Sequence, residues 1–461
     1  MTSPTLPKEI FKAYDIRGIV DKTLTPAIVE SIGRALGSVA RERGVTEIVT
    51  GRDGRLSGPA LIEALGNGMR AAGVGVVDIG QVATPLVYYA AQALGPSASG
   101  VMVTGSHNPP DFNGLKMVIA GETLHGDAIT ALYTRIEAGS FTSGAGTLRT
   151  HDIGEAYFTR VLGDVKLARP VKIAIDCGNG VAGAFAPALF ERMGCTVTQL
   201  FCEVDGTFPN HHPDPAVPKN LADLIACVKN GDAELGFAFD GDGDRLGVVT
   251  KDGHIIYPDR QLMLYAADVL SRNPGATIIY DVKCTRNLGP WITQHGGKPL
   301  LWKTGHSLVK AKLKETGALL AGEMSGHTFL KERWYGFDDA LYCGARLLEI
   351  LSRSANPSAV LDALPDSVST PELQLPLEEG ENFALIAKLQ REARFPDAQQ
   401  VIDIDGLRVE YKDGFGLVRS SNTTPVVVLR FEGDTEAALL RVQADFRRVL
   451  LAAKPDAVLP F

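Results

Sequence analysis

The chain has 461 residues, 45% of them hydrophobic and 22% charged, which is ordinary globular composition and argues against disorder. Lys and Arg number 46 against 54 Asp and Glu, a formal net charge of −8; an acidic chain is poorly suited to grip a nucleic-acid backbone, which needs a basic face. No run reaches the roughly 18 apolar residues of a membrane helix, and at about 100–200 residues per domain the length implies roughly two to four domains.

Residues 1–12 hold no apolar h-region, so a cytoplasmic protein without a cleaved leader is expected. The first clear unit begins at Glu47, where "IVTGRDGR" leads through a helical stretch to "AAGVGVVDIG", ending at Gly80. Strand, helix and strand in that order make a βαβ unit with parallel strands. A further strand then runs into Thr104-Gly105-Ser106-His107-Asn108-Pro109-Pro110. Gly105 permits an unusual backbone angle and the prolines stiffen the exit. The stretch is either a plain turn or a mount that holds the Ser106 oxygen in one direction. Lys116 follows between Leu115 and Met117, on the opposite face of a strand. It is either a solvated lysine or a cation aimed at phosphate oxygens that could also carry a proton.

The pattern recurs from Val171 as "VKIAIDCGNG" and "ERMGCTVTQL", followed by "LGFAFDGDGDR" from Leu235 to Arg245. Asp240, Asp242 and Asp244 stand at alternate positions after the apolar run. Three carboxylates this close repel, and each raises the others' pKa unless a cation neutralises them. An EF-hand would carry Glu at the twelfth position, which here is Lys251, so that reading fails. Mg²⁺, which takes oxygen ligands and often some from phosphate, suits the loop better. Phosphatases with an Asp nucleophile carry D-x-D followed by Gly-Thr or Gly-Val. Asp244 stands at the matching position, which leaves the nucleophile to be found elsewhere, with Ser106 as candidate. Six cysteines (Cys177, Cys195, Cys202, Cys227, Cys284 and Cys343) form no C-x-x-C pair and are expected to be reduced and mostly buried.

A third copy starts at Ala276 with "ATIIYDVKCT", continues through "HGGKPLLWKTG" and ends in "ALLAGEMSGH". Glu323, Ser325 and His327 offer an acceptor, a hydroxyl and an imidazole at alternate positions, which suits adjacent sugar hydroxyls. His327 can also move a proton near neutral pH. Ligands of open α/β sheets lie beyond the carboxyl ends of strands, so three such loops could surround one cleft.

The repeats stop after Leu364. "PDSVSTPELQLPLEEG" reads as a linker, and "VIDIDGLRVEY", "GFGLVRSS" and "PVVVLRFEG" as short strands. The run Arg419-Ser420-Ser421-Asn422-Thr423-Thr424-Pro425 is equally a Ser/Thr turn or an anion nest with a bidentate arginine. A helix from Asp434 to about Leu451, capped by Asp434 or Thr435, closes the chain. The expected fold is α/β: three similar domains with mixed or parallel sheets (1–150, 151–253 and 254–364) around a central cleft, then a smaller α+β domain (365–461).

Taken together, "TGSHNPP", "DGDGDR", "GEMSGH" and "RSSNTTP", with "FKAYDIRG" near the start, resemble the motifs of the α-D-phosphohexomutases. The chain is most similar to their bacterial phosphomannomutase/phosphoglucomutase branch, over nearly its whole length. The resemblance implies a phosphoryl group carried on Ser106, and Mg²⁺ held by Asp240, Asp242 and Asp244 with a phosphoserine oxygen of Ser106. It implies Arg17, Lys116, Arg245 and His327 around the reacting centre, with Lys116 or His327 as general base or acid. Tyr14, Lys283 and His306 are implied ligand contacts. Glu323 and Ser325, in a loop with Met324 and Gly326, are implied on the sugar 3- and 4-hydroxyls. Arg419, Ser421, Asn422 and Thr423 are implied on the non-reacting phosphate. The implied reaction moves phosphate between C6 and C1 of glucose and mannose phosphates through glucose 1,6-bisphosphate or its mannose equivalent. A phosphoglucosamine mutase, which usually has Gln where Met324 stands, is the nearest alternative; a serine- and metal-dependent phosphatase is a further one. The expected partners are small sugar phosphates, and the expected state is a monomer.

Overall fold

The computed structural model describes residues 6–95, 97–422 and 424–461. Four sheets follow one another along the chain, and the first three share one strand order. In the first, Phe112–Ile119, Gly100–Val103, Glu47–Arg52 and Gly75–Gln81 lie side by side. Leu246–Thr250, Leu235–Phe239, Lys172–Asp176 and Thr196–Leu200 repeat this order in the second, and Thr328–Leu330, Leu320–Gly322, Thr277–Asp281 and Lys298–Trp302 in the third. The last three strands of each set are mutually parallel, and the first is antiparallel to its neighbour.

That antiparallel return positions the site. The connection from the third strand of a repeat to its fourth is a tight loop at a carboxyl end. Those three loops are 104–111, 240–245 and 323–327. An isolated antiparallel bridge pairs Arg245 with His327 and ties two of them together.

The strands that carry the loops are apolar on both faces, as sheets covered by helices require. "GVMV", "LGFAF" and "LAG" are entirely buried. One continuous core contains Val49 and Met102 of the first sheet, Ile173 and Phe237 of the second, and Ile278 and Leu320 of the third. The first three units therefore form one packed body.

The fourth sheet is built mainly from Gln400–Ile402, Leu407–Tyr411, Gly414–Ser420 and Val426–Gly433, all antiparallel. Its core, including Leu375, Val409, Phe431 and Phe446, is separate. The closing helix spans Glu436–Ala453, and its N-cap Thr435 accepts from the Ala438 amide. The segment expected to be a linker is more ordered than its composition suggested. Val368–Ser369 and Leu373–Pro376 pair with Val426–Gly433 as edge strands, where proline is tolerated because an outward backbone nitrogen need not donate. Among the described residues, no helix is long and apolar enough to cross a membrane.

Candidate active site

The serine loop is held from below by residues of the first βα turn. Asp53 Oδ2 accepts from Thr104 Oγ1 at 2.7 Å and from the Gly105 amide at 3.2 Å, and Thr104 Oγ1 accepts from the Ser106 amide at 2.8 Å. The buried Arg55 guanidinium donates to the carbonyls of Ser106 (2.7 Å), Asn108 (2.6 Å), Pro109 (2.5 Å) and Phe112 (2.9 Å). Gly105 lies against it so closely that a Cβ there would be 2.4 Å from Arg55 Cζ. These contacts hold Ser106 at φ +50°, a left-handed conformation that a non-glycine residue seldom takes.

Ser106 Oγ donates to Asp240 Oδ2 at 3.2 Å and lies 3.2 Å from His107 Nδ1. Burial, with the charges of Arg245 and Arg17, pushes His107 well below the usual histidine range. The oxygens of Asp240, Asp242 and Asp244 come within 4.8 Å of one another, and all three residues are fully buried. Among the described residues, Asp242 Oδ1 and Asp244 Oδ1 have no hydrogen-bond partner. Hard carboxylate oxygens, convergent and partly unsatisfied, fit a divalent cation.

Lys116 is not solvated. Its Nζ donates to Asp242 Oδ2 at 2.7 Å and also to Asp244, while Leu115 and Met117 face the core. Burial opposes its charge, but Asp242 and Asp244 outweigh burial and hold it well above the usual lysine range. Burial and the neighbouring carboxylates push Asp240 well up. Burial would raise Asp242 too, but Lys116 and the Thr84 hydroxyl, which donates at 2.5 Å, hold it down.

Arg17 donates to the Gly105 carbonyl (3.1 Å) and Asn108 Oδ1 (2.9 Å), and pairs with Asp15 at 2.5 Å. Arg245 Nε lies 3.8 Å from Asp240 and donates to His327 Nε2 at 3.0 Å. His327 Nδ1 lies 3.0 Å from Asp338 Oδ2. An acceptor Nε2 puts the ring proton on Nδ1, the tautomer these partners assign.

A second group gathers beyond the His306 ring, whose centroid is 5.6 Å from that of His327 and 6.2 Å from that of Tyr14. Asn422, from the fourth domain, donates to the Tyr14 hydroxyl. Arg419 pairs with Asp405 at 3.0 Å and Lys283 with Glu372 at 2.9 Å. Among the described residues, Arg419 Nη2 and His306 Nδ1 are buried without a partner. Glu323 Oε1 accepts from the Gly305 amide at 2.5 Å, and the Met324 amide donates to Asp281 at 3.1 Å. Burial raises Glu323 above the usual carboxylate range. Gly326 sits at φ +106°, packed on the Arg245 side chain. Ser325 is half-buried in the same turn, and Ser421 bonds Thr424. Thr423 lies outside the described residues.

Sequence reasoning missed Asp15, Asp53, Arg55, Thr84, Asp281, Asp338, Glu372 and Asp405. "GRDGR" was the available signal for two of them: charged residues directly after a buried strand, at the carboxyl end where the cleft forms. Asp338, Glu372 and Asp405 sit in unremarkable acidic stretches and become visible only through their partners.

The sequence matches four family descriptions in chain order. These are phosphoglucomutase/phosphomannomutase alpha/beta/alpha domain I at residues 8–143, domain II at 155–253, domain III at 257–368 and the C-terminal domain at 372–449. A phosphoglucomutase of Neisseria meningitidis serogroup A is 59% identical over 99% of each chain. A phosphomannomutase/phosphoglucomutase of Pseudomonas aeruginosa is 56% identical over 100% of this chain and 99% of its own. Among solved structures, a phosphoglucomutase/phosphomannomutase family protein from Burkholderia thailandensis is 61% identical and superposes with a TM-score of 0.94, covering 99% of this chain and 100% of that one. With all four domains matched in order and relatives this similar over their full lengths, the chain belongs to the bacterial phosphomannomutase/phosphoglucomutase branch of the α-D-phosphohexomutases.

Proposed function

We propose that this chain interconverts the 6- and 1-phosphates of glucose and of mannose, with Ser106 as the phosphoryl carrier. The observation that carries the reading is the Ser106 hydroxyl 3.2 Å from Asp240, at the mouth of a convergent carboxylate triplet and on a loop whose backbone is pinned by Arg55 and Thr104. The carrier form is phosphoserine. The C1 oxygen of a bound sugar 6-phosphate attacks its phosphorus, the bond from phosphorus to Ser106 Oγ breaks, and a 1,6-bisphosphate results. After the bisphosphate turns end for end, Ser106 Oγ takes the phosphate from C6 and the sugar 1-phosphate leaves.

The chain's own groups suit each demand. Mg²⁺, held by Asp240, Asp242 and Asp244, would draw negative charge from the transferring phosphoryl group. Lys116 stays a cation and so serves as charge stabiliser. His327, with Nδ1 facing Asp338 and Nε2 accepting from Arg245, would have to exchange that Arg245 bond for the C1 hydroxyl in order to take its proton. Arg419, Ser421, Asn422 and Thr423 would hold the phosphate that is not reacting, and Glu323 and Ser325 the 3- and 4-hydroxyls. Tyr14, Arg17, Lys283, His306, Met324 and Gly326 complete the lining.

A site that reads only the 3- and 4-hydroxyls discriminates little at C2, so kcat/KM for glucose and mannose phosphates should be similar. A large preference for one epimer would contradict that half of the reading. The central test is intact mass with site localisation, before and after incubation with glucose 1,6-bisphosphate. One phosphoryl group on Ser106 is expected, and Ser106→Ala should carry none and lose turnover by several orders of magnitude. Native-speed turnover by Ser106→Ala would remove the proposal, and release of inorganic phosphate without sugar 1-phosphate would make the chain a phosphatase. We further take the protein to act as a cytoplasmic monomer on small sugar phosphates, without nucleic-acid or membrane partners, and take its domains to run 1–150, 151–253, 254–364 and 365–461.

A further inference from the structure

Directly behind the acidic loop, two of the six cysteines meet. Cys177 follows the strand Lys172–Asp176 and Cys202 follows its parallel neighbour Thr196–Leu200. Their sulfurs are 3.7 Å apart, and both thiols are free. The approach is built by backbone: Phe201, just before Cys202, sits at φ +49°, and Gly178 and Asn179, just after Cys177, at +48° and +62°. The Cys177 amide donates to the Leu200 carbonyl and the Asn179 amide to the Phe201 carbonyl. The other four cysteines make no such pair among the described residues.

We propose that Cys177 and Cys202 form a dithiol site that a peroxide oxidises to an intramolecular disulfide, and that this bond pulls on the segment backing the acidic loop. Cys202 is partly exposed and Cys177 fully buried, which sets the order of events. The Cys202 sulfur attacks one peroxide oxygen, the O–O bond breaks, and water leaves behind a sulfenic acid. The Cys177 sulfur then attacks the Cys202 sulfur, the S–O bond breaks, and a second water leaves with the Cys177 proton. Overall, two thiols lose two electrons and two protons and one peroxide is reduced. The hydrogen bond between the thiols lowers the Cys202 pKa, while burial raises that of Cys177, in keeping with Cys202 reacting first.

The bond requires the sulfurs to close from 3.7 Å to about 2.05 Å. The run 177–184, which follows Cys177, touches the acidic loop. The Val181 amide donates to the Gly241 carbonyl at 3.1 Å, and a Cβ at Gly243 would lie 3.3 Å from Ala182 Cβ. At its far side, Gly183 packs so closely on Cys202 that a Cβ would stand 2.0 Å from the Cys202 carbonyl oxygen. The site lies outside the proposed phosphoryl-transfer machinery, so its chemistry can be tested separately from that reading.

The full-length protein is treated with hydrogen peroxide and analysed by peptide mapping. A disulfide joining the Cys177 and Cys202 peptides is expected, reversed by dithiothreitol. Cys202→Ser should form none, and Cys177→Ser should stop at a sulfenic acid on Cys202 that dimedone traps. Persistence of both thiols under peroxide, or no dimedone adduct on Cys202 in Cys177→Ser, would overturn the site. In the oxidised wild type, mutase turnover should fall several-fold and return on reduction, with Cys202→Ser unaffected. A fully oxidised protein with unchanged turnover would overturn the coupling to the acidic loop.

Discussion

Arg55 shows how one side chain can act on a reaction without touching it. Its guanidinium donates to four backbone carbonyls of the serine loop, including that of Ser106 itself. Burial works against its charge and lowers its pKa, with Asp53 opposing that shift. Lysine would keep the charge but lose the planar fork that reaches four oxygens at once. Arg55→Lys should therefore fold, bind substrate with nearly unchanged KM and lose roughly 10- to 100-fold in kcat, the scale of a misplaced reacting group. Steady-state kinetics with a thermal melt checks this; a rise in KM at constant kcat would assign Arg55 to binding instead.

The helix Ala340–Leu351 depends on an acid at its start. Asp339 caps it by accepting from the Tyr342 amide at 2.9 Å, and the Tyr157 hydroxyl donates to both its oxygens at 2.9 Å. Burial pushes this carboxyl up to about 7, against the hydrogen bonds that lower it. Between the ordinary value of 3.8 and about 7, the folded protein keeps a proton that the unfolded chain has released. Stability then falls as pH rises through that window, by up to about 1.4 kcal/mol per unit, and levels off above it. Asn can cap as well as Asp and has no proton to lose. Asp339→Asn should flatten this part of the profile and match or exceed the wild type at pH 8, measured by urea unfolding at several pH values. An unchanged slope would assign it to other groups.

The whole molecule divides unequally. The first three units share one apolar core, whereas the fourth meets the third largely through polar contacts. Arg408 donates to the Val282 and Cys284 carbonyls, Arg430 to the Lys283 carbonyl, and Thr285 to Glu432. A small apolar patch of Val282, Phe415 and Leu417, with Leu301 and Ile404 packed against it, also joins them. Water can replace polar contacts at little cost, so the fourth domain is the part suited to open while a bisphosphate turns. Residues of the first and fourth domains, among them Lys12 and Glu379, line one cleft at the mouth. Cysteines at these two positions, joined by a short bifunctional thiol reagent, should block turnover while leaving the unlinked double variant active. Normal activity in a verified crosslinked protein would exclude the opening.

Much of the plan was legible in the chain itself. Strand, turn and helix periodicities repeat three times because each repeat must bury the same kind of sheet, and a glycine-rich polar loop after an apolar strand marks a carboxyl end wherever it occurs. Ser106, the aspartate triplet and Lys116 could be singled out on that basis, since their signals are local. Partnership was not local. That Lys116 would bridge Asp242 and Asp244 rather than face water, that Arg55 would hold the serine turn, that Asp338 would stand beside His327, and that a Pro- and Ser-rich stretch would pair as edge strands all depend on contacts between segments far apart in sequence. A buried charge takes its role from whichever opposite charge the fold delivers to it, and only the assembled tertiary structure decides which one that is.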